Sequence, residues 1–132
     1  DEVFSGYRDI LELDFCFLGI CFGHQLIADA FGGRVRMGLK GEYAQAQIKL
    51  LGDDVLFDGL PDRFTAWTSH KDEVVDVPQK FRVLAESKDC EIEAMRHESR
   101  PIWGVQFHPE VHHTTKGSVI LKNFAEACIN WK

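Results

Sequence analysis

Apolar positions along the 132-residue chain recur with more than one period, and each period predicts a different element. Helical spacing in residues 1–13 and 24–31 predicts two helices, the second of which should stop at Gly32-Gly33. Between them, the continuous apolar run "FCFLGI" at 15–20 predicts a central strand that is buried on both faces. Apolar residues at amphipathic spacing from 114 to 131 predict a helix that closes the domain.

Shorter strand-like segments separated by turn signals fill residues 34–107. They are "AQAQIKLL" (44–51), "RFTAWT" (63–68), "FRVLAES" (81–87), "EIEAMRH" (91–97) and "PIWGVQF" (101–107). Helix-strand-helix units around a buried apolar strand predict an α/β fold in three layers. We expect a mostly parallel sheet with helices on both faces and a more antiparallel insertion in the middle, all within one domain over residues 1–132.

Composition and charge narrow the classes of partner. A content of 45% hydrophobic and 27% charged residues is ordinary for a soluble globular domain. The net charge of -6, without a run of Lys and Arg to offset it, disfavours nucleic acid as a partner. No apolar run approaches the roughly 18 residues of a membrane span, and the N-terminus lacks a signal-peptide pattern. We therefore expect a cytoplasmic protein with protein or small-molecule partners, and we interpret the acidic segment at 52–59 as a solvated turn.

The cysteines show no CxxC spacing, so the sequence predicts neither a zinc ribbon nor a disulfide framework, and no metal site is expected. They are Cys16, Cys21, Cys90 and Cys128. Cys16 and Cys128 fit the common role of a small buried hydrophobe. Cys21 differs because it stands between Gly19 and Gly23 in "GICFGHQ", where the apolar strand gives way to a helix.

A nucleophile at a sharp strand-to-helix bend is presented at the carboxyl edge of the sheet and at the helix N-terminus. Such a bend crowds its neighbours, which accounts for glycine at 19 and 23. The N–H groups of the helix N-terminus favour a thiolate, so we expect a lowered pKa at Cys21. The same N–H groups can receive an oxyanion.

A base for this thiol is predicted in "GVQFHPEV" at 104–111. Residues two apart on an extended segment point the same way, so His108 and Glu110 should lie side by side. Pro109 disfavours helix at His108 and ends the strand. A carboxylate that binds one imidazole nitrogen leaves the other nitrogen to exchange protons with sulfur, so the sequence predicts a catalytic triad.

These two motifs together resemble the class I, triad-type glutamine amidotransferases, and the resemblance covers nearly the whole chain. Within that class, the chain is similar to the glutaminase subunit of the archaeal-type, two-subunit GMP synthase. The segments that carry this similarity are "WTSHKDEV" (67–74), "CEIEAMRH" (90–97) and "HPEVHHTTKG" (108–117). The resemblance implies Cys21 as nucleophile, His108 as general base and acid, and Glu110 as the partner that orients the imidazole.

The resemblance also implies how the substrate is held. The backbone N–H of Phe22 would be one oxyanion donor, and Gln25 would help to hold glutamine. Ser69, Lys71 and Asp72 would hold the amino-acid end of glutamine, largely through backbone groups.

The implied reaction is hydrolysis of the glutamine side-chain amide through a cysteine thioester. In the family that the chain resembles, the ammonia passes to a separate ATP-pyrophosphatase subunit, which aminates XMP to GMP. ATP and Mg²⁺ are expected on that partner, and no cofactor is expected in this chain, which has no Gly-rich phosphate loop ahead of a helix. His112 and His113 follow His108 closely enough to suggest a metal site, but a solvated loop is the better interpretation.

Two alternatives remain open from the sequence. One is the glutaminase component of another synthase of the class, of the anthranilate or carbamoyl-phosphate type, and the other is a catalytically inactive regulatory module of the same fold. By resemblance, the chain joins the family pattern partway through, so we expect an N-terminally incomplete domain without the opening strands. Such a domain would expose a sheet edge at 15–20 and keep only the Phe22 side of the oxyanion hole.

Overall fold

A computed structural model describes residues 2–42 and 44–131, with side chains except those of residues 2–5, 7 and 39–42. The predicted apolar face at Val3 and Tyr7 therefore lies outside the described side chains. The helices are α1 (Glu2–Leu11), α2 (Phe22–Ala30) and α3 (Gly117–Ile129), with a short 3-10 helix at Val55–Phe57. The strands are β1 (Phe17–Ile20), β2 (Arg34–Glu42), β3 (Gln45–Leu50), β4 (Arg63–Trp67), β5 (His70–Asp76), β6 (Phe81–Ser87), β7 (Cys90–His97) and β8 (Ile102–Val105).

The main sheet is mixed. Its described strands run in the order β1-β8-β7-β6-β3-β4. β1 and β8 are parallel, with Gly19 opposite Gly104, whereas the other neighbouring pairs are antiparallel. Among the described residues the sheet is therefore less parallel than expected, because only β1 and β8 pair in parallel. These are the two strands that lead into the predicted catalytic motifs.

β1 lies at the edge of this sheet. Within residues 2–42 and 44–131 it pairs with β8 alone, so the expectation of a central strand is not met there. The expected exposed edge is present instead, and Phe15, just before the strand, is 63% exposed. The helix that follows ends as predicted, since Phe31 caps α2 and Gly32 takes a φ of +92°.

β2 and β5 form a separate two-stranded antiparallel sheet that the sequence patterns did not reveal as strands. Polar residues dominate β5, which reads "HKDEVVD", so neither alternation nor an apolar run marks it. The antiparallel insertion that was expected in the middle of the chain corresponds instead to β3, β4, β6 and β7 of the main sheet, which pair antiparallel. The β2–β5 pair matters for the site because β5 begins one residue after Ser69.

Two apolar cores lie on opposite faces of the main sheet. One contains Trp103, Phe107 and Ile120, the last of which belongs to α3. The other contains Leu11 of α1 and Ile27 of α2. Helices therefore cover both faces, which confirms the three-layer α/β arrangement. Within the described ranges, no helix combines the length and apolar character needed to cross a membrane.

The acidic segment at 52–59 is not a simple solvated turn. Asp54 caps the 3-10 helix, and its side chain is fully buried. Its carboxylate accepts hydrogen bonds from one backbone N–H, two guanidinium groups and one indole N–H, which belong to Leu56, Arg82, Arg96 and Trp103. A buried carboxylate is stable only with such partners, so Asp54 joins this loop to three strands of the sheet.

Candidate active site

The parallel pairing of β1 and β8 brings the two predicted motifs to one edge of the sheet. Ile20 lies opposite Val105 in the register, so Cys21 and Gln106 each come directly after their strand. The Cys21 N–H donates to the Val105 carbonyl at 2.9 Å. The carboxyl ends of parallel strands are a common place for sites in α/β sheets, because loops and helix N-termini meet there.

Cys21 occupies a strained backbone position at the N-terminus of α2. Its φ of 55° and ψ of -104° lie in a region that residues with a side chain rarely adopt. Such a conformation costs on the order of 1–3 kcal/mol and is typical of functional sites. The predicted sharp bend between β1 and α2 is therefore present, and Cys21 lies at it.

Gly19 is the glycine that this bend requires. A Cβ built on Gly19 would lie 2.5 Å from the carbonyl carbon and oxygen of Gly23, so strand and helix touch through backbone atoms. A Cβ on Gly23 itself would meet nothing within 4 Å. Crowding therefore explains the glycine at 19, as expected. It does not explain the glycine at 23, where a side chain would have room.

The Cys21 thiol has three hydrogen-bond partners. Its S–H donates to the Ser69 carbonyl, with a Sγ to O distance of 3.6 Å. The Gln106 side-chain Nε2 donates to the sulfur at 3.6 Å, and the Phe22 backbone N–H also hydrogen-bonds to it. The Phe22 N–H thus points at the sulfur, and its role as an oxyanion donor stays a prediction. That the opposite side of the hole lacks a donor stays a prediction.

The pKa of the Cys21 thiol is raised, and the expectation of a lowered value is wrong. Burial is the largest cause, because it disfavours the charged thiolate, and the nearby Glu110 carboxylate adds to the effect. Hydrogen bonds from Phe22 and Gln106 lower the pKa but do not compensate. Burial therefore opposes ionisation of this thiol, which needs a base to remove its proton.

Cys16 and Cys128 interact with one another and not with this site. Both are partly buried, and a side-chain hydrogen bond joins them. Burial, followed by the contact with Cys16, raises the pKa of Cys128 to about 12. A thiol with so high a pKa is a poor nucleophile near neutral pH, so the structure gives Cys128 no catalytic character.

His108 and Glu110 lie side by side as predicted. The imidazole Nδ1 and the carboxylate Oε2 are 2.8 Å apart. The backbone N–H of His108 donates to the backbone carbonyl of Trp67 at 2.9 Å, so the motif is hydrogen-bonded to β4. Thr114 bridges the same two residues. Its hydroxyl donates to the His108 backbone carbonyl at 2.6 Å and accepts from the Trp67 backbone N–H at 2.9 Å. Thr114 carries no sequence signal, because its role depends on β4 being adjacent.

The thiol and the imidazole share one edge of the sheet but are not hydrogen-bonded to each other. The charge of Glu110 acts on the Cys21 thiol, which places the His108–Glu110 pair within electrostatic range of the sulfur. Among the described residues, however, the S–H donates to Ser69 and not to His108. Catalytic hydrogen bonds are often long or absent without substrate. The S–H must therefore leave the Ser69 carbonyl before it can reach another acceptor.

The residues expected to hold substrate gather around the start of β5. Gln25 is buried, and its Nε2 donates to the Asp72 carbonyl at 2.9 Å and to the Gln106 Oε1 at 3.3 Å. In this structure the Gln25 amide therefore binds other protein groups, the Asp72 carbonyl and the Gln106 side chain. The side chains of Ser69, Lys71 and Asp72 are exposed, while the carbonyls of Ser69 and Asp72 accept internal hydrogen bonds from Cys21 and Gln25.

Gln106 is the functional residue that sequence reasoning missed. It is fully buried, and its one amide joins Gln25 to the Cys21 sulfur. The available signal was a lone polar residue inside the apolar segment "GVQF". A buried amide must find partners, so its presence there indicates a polar neighbour on another element.

His112 and His113 lie in an exposed loop, as expected, and their rings stack with centroids 4.0 Å apart. The ring of His113 also lies 5.0 Å from that of Trp67. Trp67 is only partly buried, so it does not belong to the core, in contrast to Phe64 and Trp103.

A strained cysteine at a strand-to-helix bend, with a His–Glu pair just after the neighbouring parallel strand, is the arrangement of a candidate nucleophilic-cysteine site. Residues 2–128 match the family model described as glutamine amidotransferase class-I, and the chain belongs to that family.

Relatives of known name share much of the sequence. One is a protein of Pyrococcus abyssi named as a subunit of glutamine-hydrolyzing GMP synthase. The chain is 55% identical to it over 117 residues, and the match covers 89% of this chain and 62% of that protein. The chain is 48% identical to the same-named protein of Thermococcus kodakarensis in an alignment of 139 positions. The match covers 96% of this chain and 74% of that protein. The chain thus spans less than two thirds of the Pyrococcus relative.

Solved structures agree with the family. A crystal structure from Thermoplasma acidophilum, assigned to a subunit of GMP synthase, superposes with a TM-score of 0.93 at 34% identity. The match covers 97% of this chain and 65% of that one. A glutamine amidotransferase from Thermotoga maritima superposes with a TM-score of 0.75 at 28% identity, covering 96% of this chain and 52% of that one. These matches support the α/β fold class expected from the sequence.

Proposed function

We propose that this chain is the glutaminase part of a two-subunit GMP synthase. It would hydrolyse the side-chain amide of glutamine and supply the ammonia to a separate ATP-pyrophosphatase subunit that aminates XMP to GMP. The observation that carries the proposal is the placement of strained Cys21 and the His108–Glu110 pair just after two neighbouring parallel strands, at one edge of the sheet. The names of the relatives from Pyrococcus and Thermococcus support GMP synthesis as the destination of the ammonia.

The first half of the reaction forms the thioester. Bound glutamine would displace the Cys21 S–H from the Ser69 carbonyl, and His108 would take the proton. Glu110 accepts from the Nδ1–H of His108, which leaves the Nε2 lone pair to act as the base. The thiolate then attacks the amide carbon, and the Phe22 N–H stabilises the resulting oxyanion.

The second half releases both products. Protonated His108 gives its proton to the departing nitrogen, so ammonia leaves and the glutamyl thioester remains. His108 then removes a proton from water, which attacks the thioester and frees glutamate and the thiol. The proposal assigns glutamine to this chain, and ATP, Mg²⁺ and XMP to the partner.

The test combines the chain with a candidate synthetase subunit, glutamine, ATP, Mg²⁺ and XMP, and measures glutamate and GMP together. We expect both products from the native sequence. Because Cys21 forms the covalent intermediate, Cys21→Ala should lower glutamine-dependent GMP formation by at least about 10⁵-fold and leave synthesis from added ammonia intact. Cys128→Ser, which alters a thiol outside the site, is the matched control.

The outcomes separate the alternatives. Glutamate without GMP would keep the glutaminase activity and overturn the assignment to GMP synthesis. Absence of glutamate, together with no covalent labelling of Cys21 by the glutamine analogue 6-diazo-5-oxo-norleucine, would indicate an inactive module. Loss of ammonia-dependent synthesis in Cys21→Ala would give Cys21 a structural role instead of a catalytic one.

A further inference from the structure

Three buried side chains of metal-binding type meet on the side of β5 that faces β7. They are His70 at the start of β5, and Cys90 and Glu93 on β7. One ligand atom from each residue lies within 4.8 Å of the other two. The residues are only 7%, 1% and 0% exposed, so this is not a cluster of solvated surface groups.

Two of the three side chains are oriented by a second partner, as metal ligands commonly are. His70 Nδ1 lies 2.9 Å from the Asp72 carbonyl, which can only accept, so Nδ1 carries the hydrogen and Nε2 keeps the lone pair. The Ser87 hydroxyl donates to Glu93 Oε2 at 2.6 Å. A histidine that donates to a backbone carbonyl and a carboxylate held by a hydroxyl are the outer contacts typical of metal sites.

Charge and size favour a divalent ion with affinity for sulfur, nitrogen and oxygen. A neutral imidazole, a thiolate and a carboxylate together carry two negative charges, which one divalent cation neutralises in the protein interior. Zinc bonds of about 2.0–2.3 Å place tetrahedral ligand atoms about 3.3–3.7 Å apart. The ligand atoms lie within 4.8 Å of one another without an ion, so binding would draw them closer together.

We propose that His70, Cys90 and Glu93 form a buried Zn²⁺ site with three protein ligands. Zinc would replace the proton of the Cys90 thiol, which passes to solvent, and a water molecule would complete four-coordination. No CxxC pattern indicated this site, because its ligands come from two strands and converge only in the fold. The proposal does not depend on the proposed function, since metal binding is measured without turnover.

The ion would also fix the loop beside the nucleophile. His70 follows Ser69, whose carbonyl accepts from the Cys21 thiol, and its ring holds the Asp72 carbonyl. The same carbonyl accepts from Gln25. Zinc bound to His70 would therefore restrain residues 69–72 through the His70 side chain.

The experiment measures metal content and a spectroscopic signature. Because the ligands are buried, the ion should enter during folding, so the chain is produced in medium supplemented with Zn²⁺ or with Co²⁺. The background is Cys21→Ala, which removes the partly buried thiol of the candidate active site as a competing cobalt ligand. We expect about one metal ion per chain, and in the cobalt form a near-ultraviolet charge-transfer band from a thiolate–Co²⁺ bond.

Matched variants decide the outcome. Cys90→Ser should abolish the band, whereas Cys128→Ser should leave it unchanged. Glu93→Gln keeps the shape of the side chain and should lose metal at least about 10-fold faster during dialysis against a chelator. A metal content no higher than that of Cys90→Ser, or a band that survives in Cys90→Ser, would overturn the proposal and leave a hydrogen-bonded cluster that holds only protons. If Cys90→Ser does not fold, metal retention by Glu93→Gln equal to that of the parent would overturn it.

Discussion

At the scale of single residues, the reactivity of Cys21 depends on opposing neighbours. Burial and the Glu110 carboxylate raise the pKa of the thiol, while the donors from Phe22 and Gln106 lower it. Glu110 therefore has two effects of opposite sign. It orients His108, which favours removal of the proton, and its charge disfavours the thiolate that results.

Glu110→Gln should separate these effects. Turnover of glutamine should fall by about 10²- to 10⁴-fold, less than for Cys21→Ala, because only the orientation and charge of the imidazole are disturbed. The pKa of the Cys21 thiol should fall, since a negative charge that opposed ionisation is gone. The rate of alkylation by iodoacetamide as a function of pH measures this pKa.

Glu126→Gln, an exposed change on α3, is the control and should alter neither quantity. A thiol pKa that rises in Glu110→Gln would contradict the electrostatic account. Turnover as low as in Cys21→Ala would contradict the subordinate role of Glu110.

At the scale of elements, the bend between β1 and α2 positions the nucleophile through one backbone contact. Gly19 on the strand approaches the carbonyl group of Gly23 in the first turn of the helix. A side chain at 19 would push the helix away from the strand, and Cys21 lies between the two. The position of the thiol is therefore fixed by the absence of a Cβ two residues earlier.

Gly19→Ala should lower the free energy of unfolding by about 1–3 kcal/mol, because the added methyl overlaps the Gly23 backbone. It should also slow covalent labelling of Cys21. Gly23→Ala adds the same methyl where nothing lies within 4 Å, and should change stability by less than about 1 kcal/mol. Urea denaturation of both variants measures the difference, and equal losses would refute the steric explanation.

At the scale of the whole molecule, buried histidines link stability to pH. Burial lowers the pKa of His24 to about 4 and also lowers that of His97, both from the ordinary value of 6.5. The His97 Nδ1 accepts hydrogen bonds from the N–H groups of Ser99 and Arg100, which protonation would break. A lowered pKa means that the unfolded chain takes up the proton first as pH falls.

The free energy of unfolding should therefore be constant above pH 7 with respect to these groups and decrease as pH falls below 6.5. For His24 this loss continues down to about pH 4. His97→Asn keeps an acceptor for both N–H groups but cannot titrate, so its stability should fall less steeply in this range. His112→Asn, in the exposed loop, should keep the slope of the native sequence, and equal slopes for both variants would contradict the assignment to His97.

The sequence allowed much of the fold and site to be predicted because the decisive signals are local. The run at 15–20, the glycine beside Cys21 and the spacing of His108 and Glu110 each lie within a few residues, and the structure places them as a bend and a hydrogen-bonded pair. β2 and β5 were missed because polar strands pair through backbone groups, which leave little pattern in the side chains.

What the sequence by itself determined is the strand-to-helix bend at Cys21 and the pairing of His108 with Glu110, since periodicity and motif spacing are properties of short segments. The tertiary structure alone decided their surroundings. The burial of Asp54, the amide of Gln106 on the Cys21 sulfur and the meeting of His70 with Cys90 and Glu93 all join residues far apart in the chain. Desolvation likewise depends on everything that packs around a group, which is why the raised pKa of Cys21 could not be read from its neighbours in sequence.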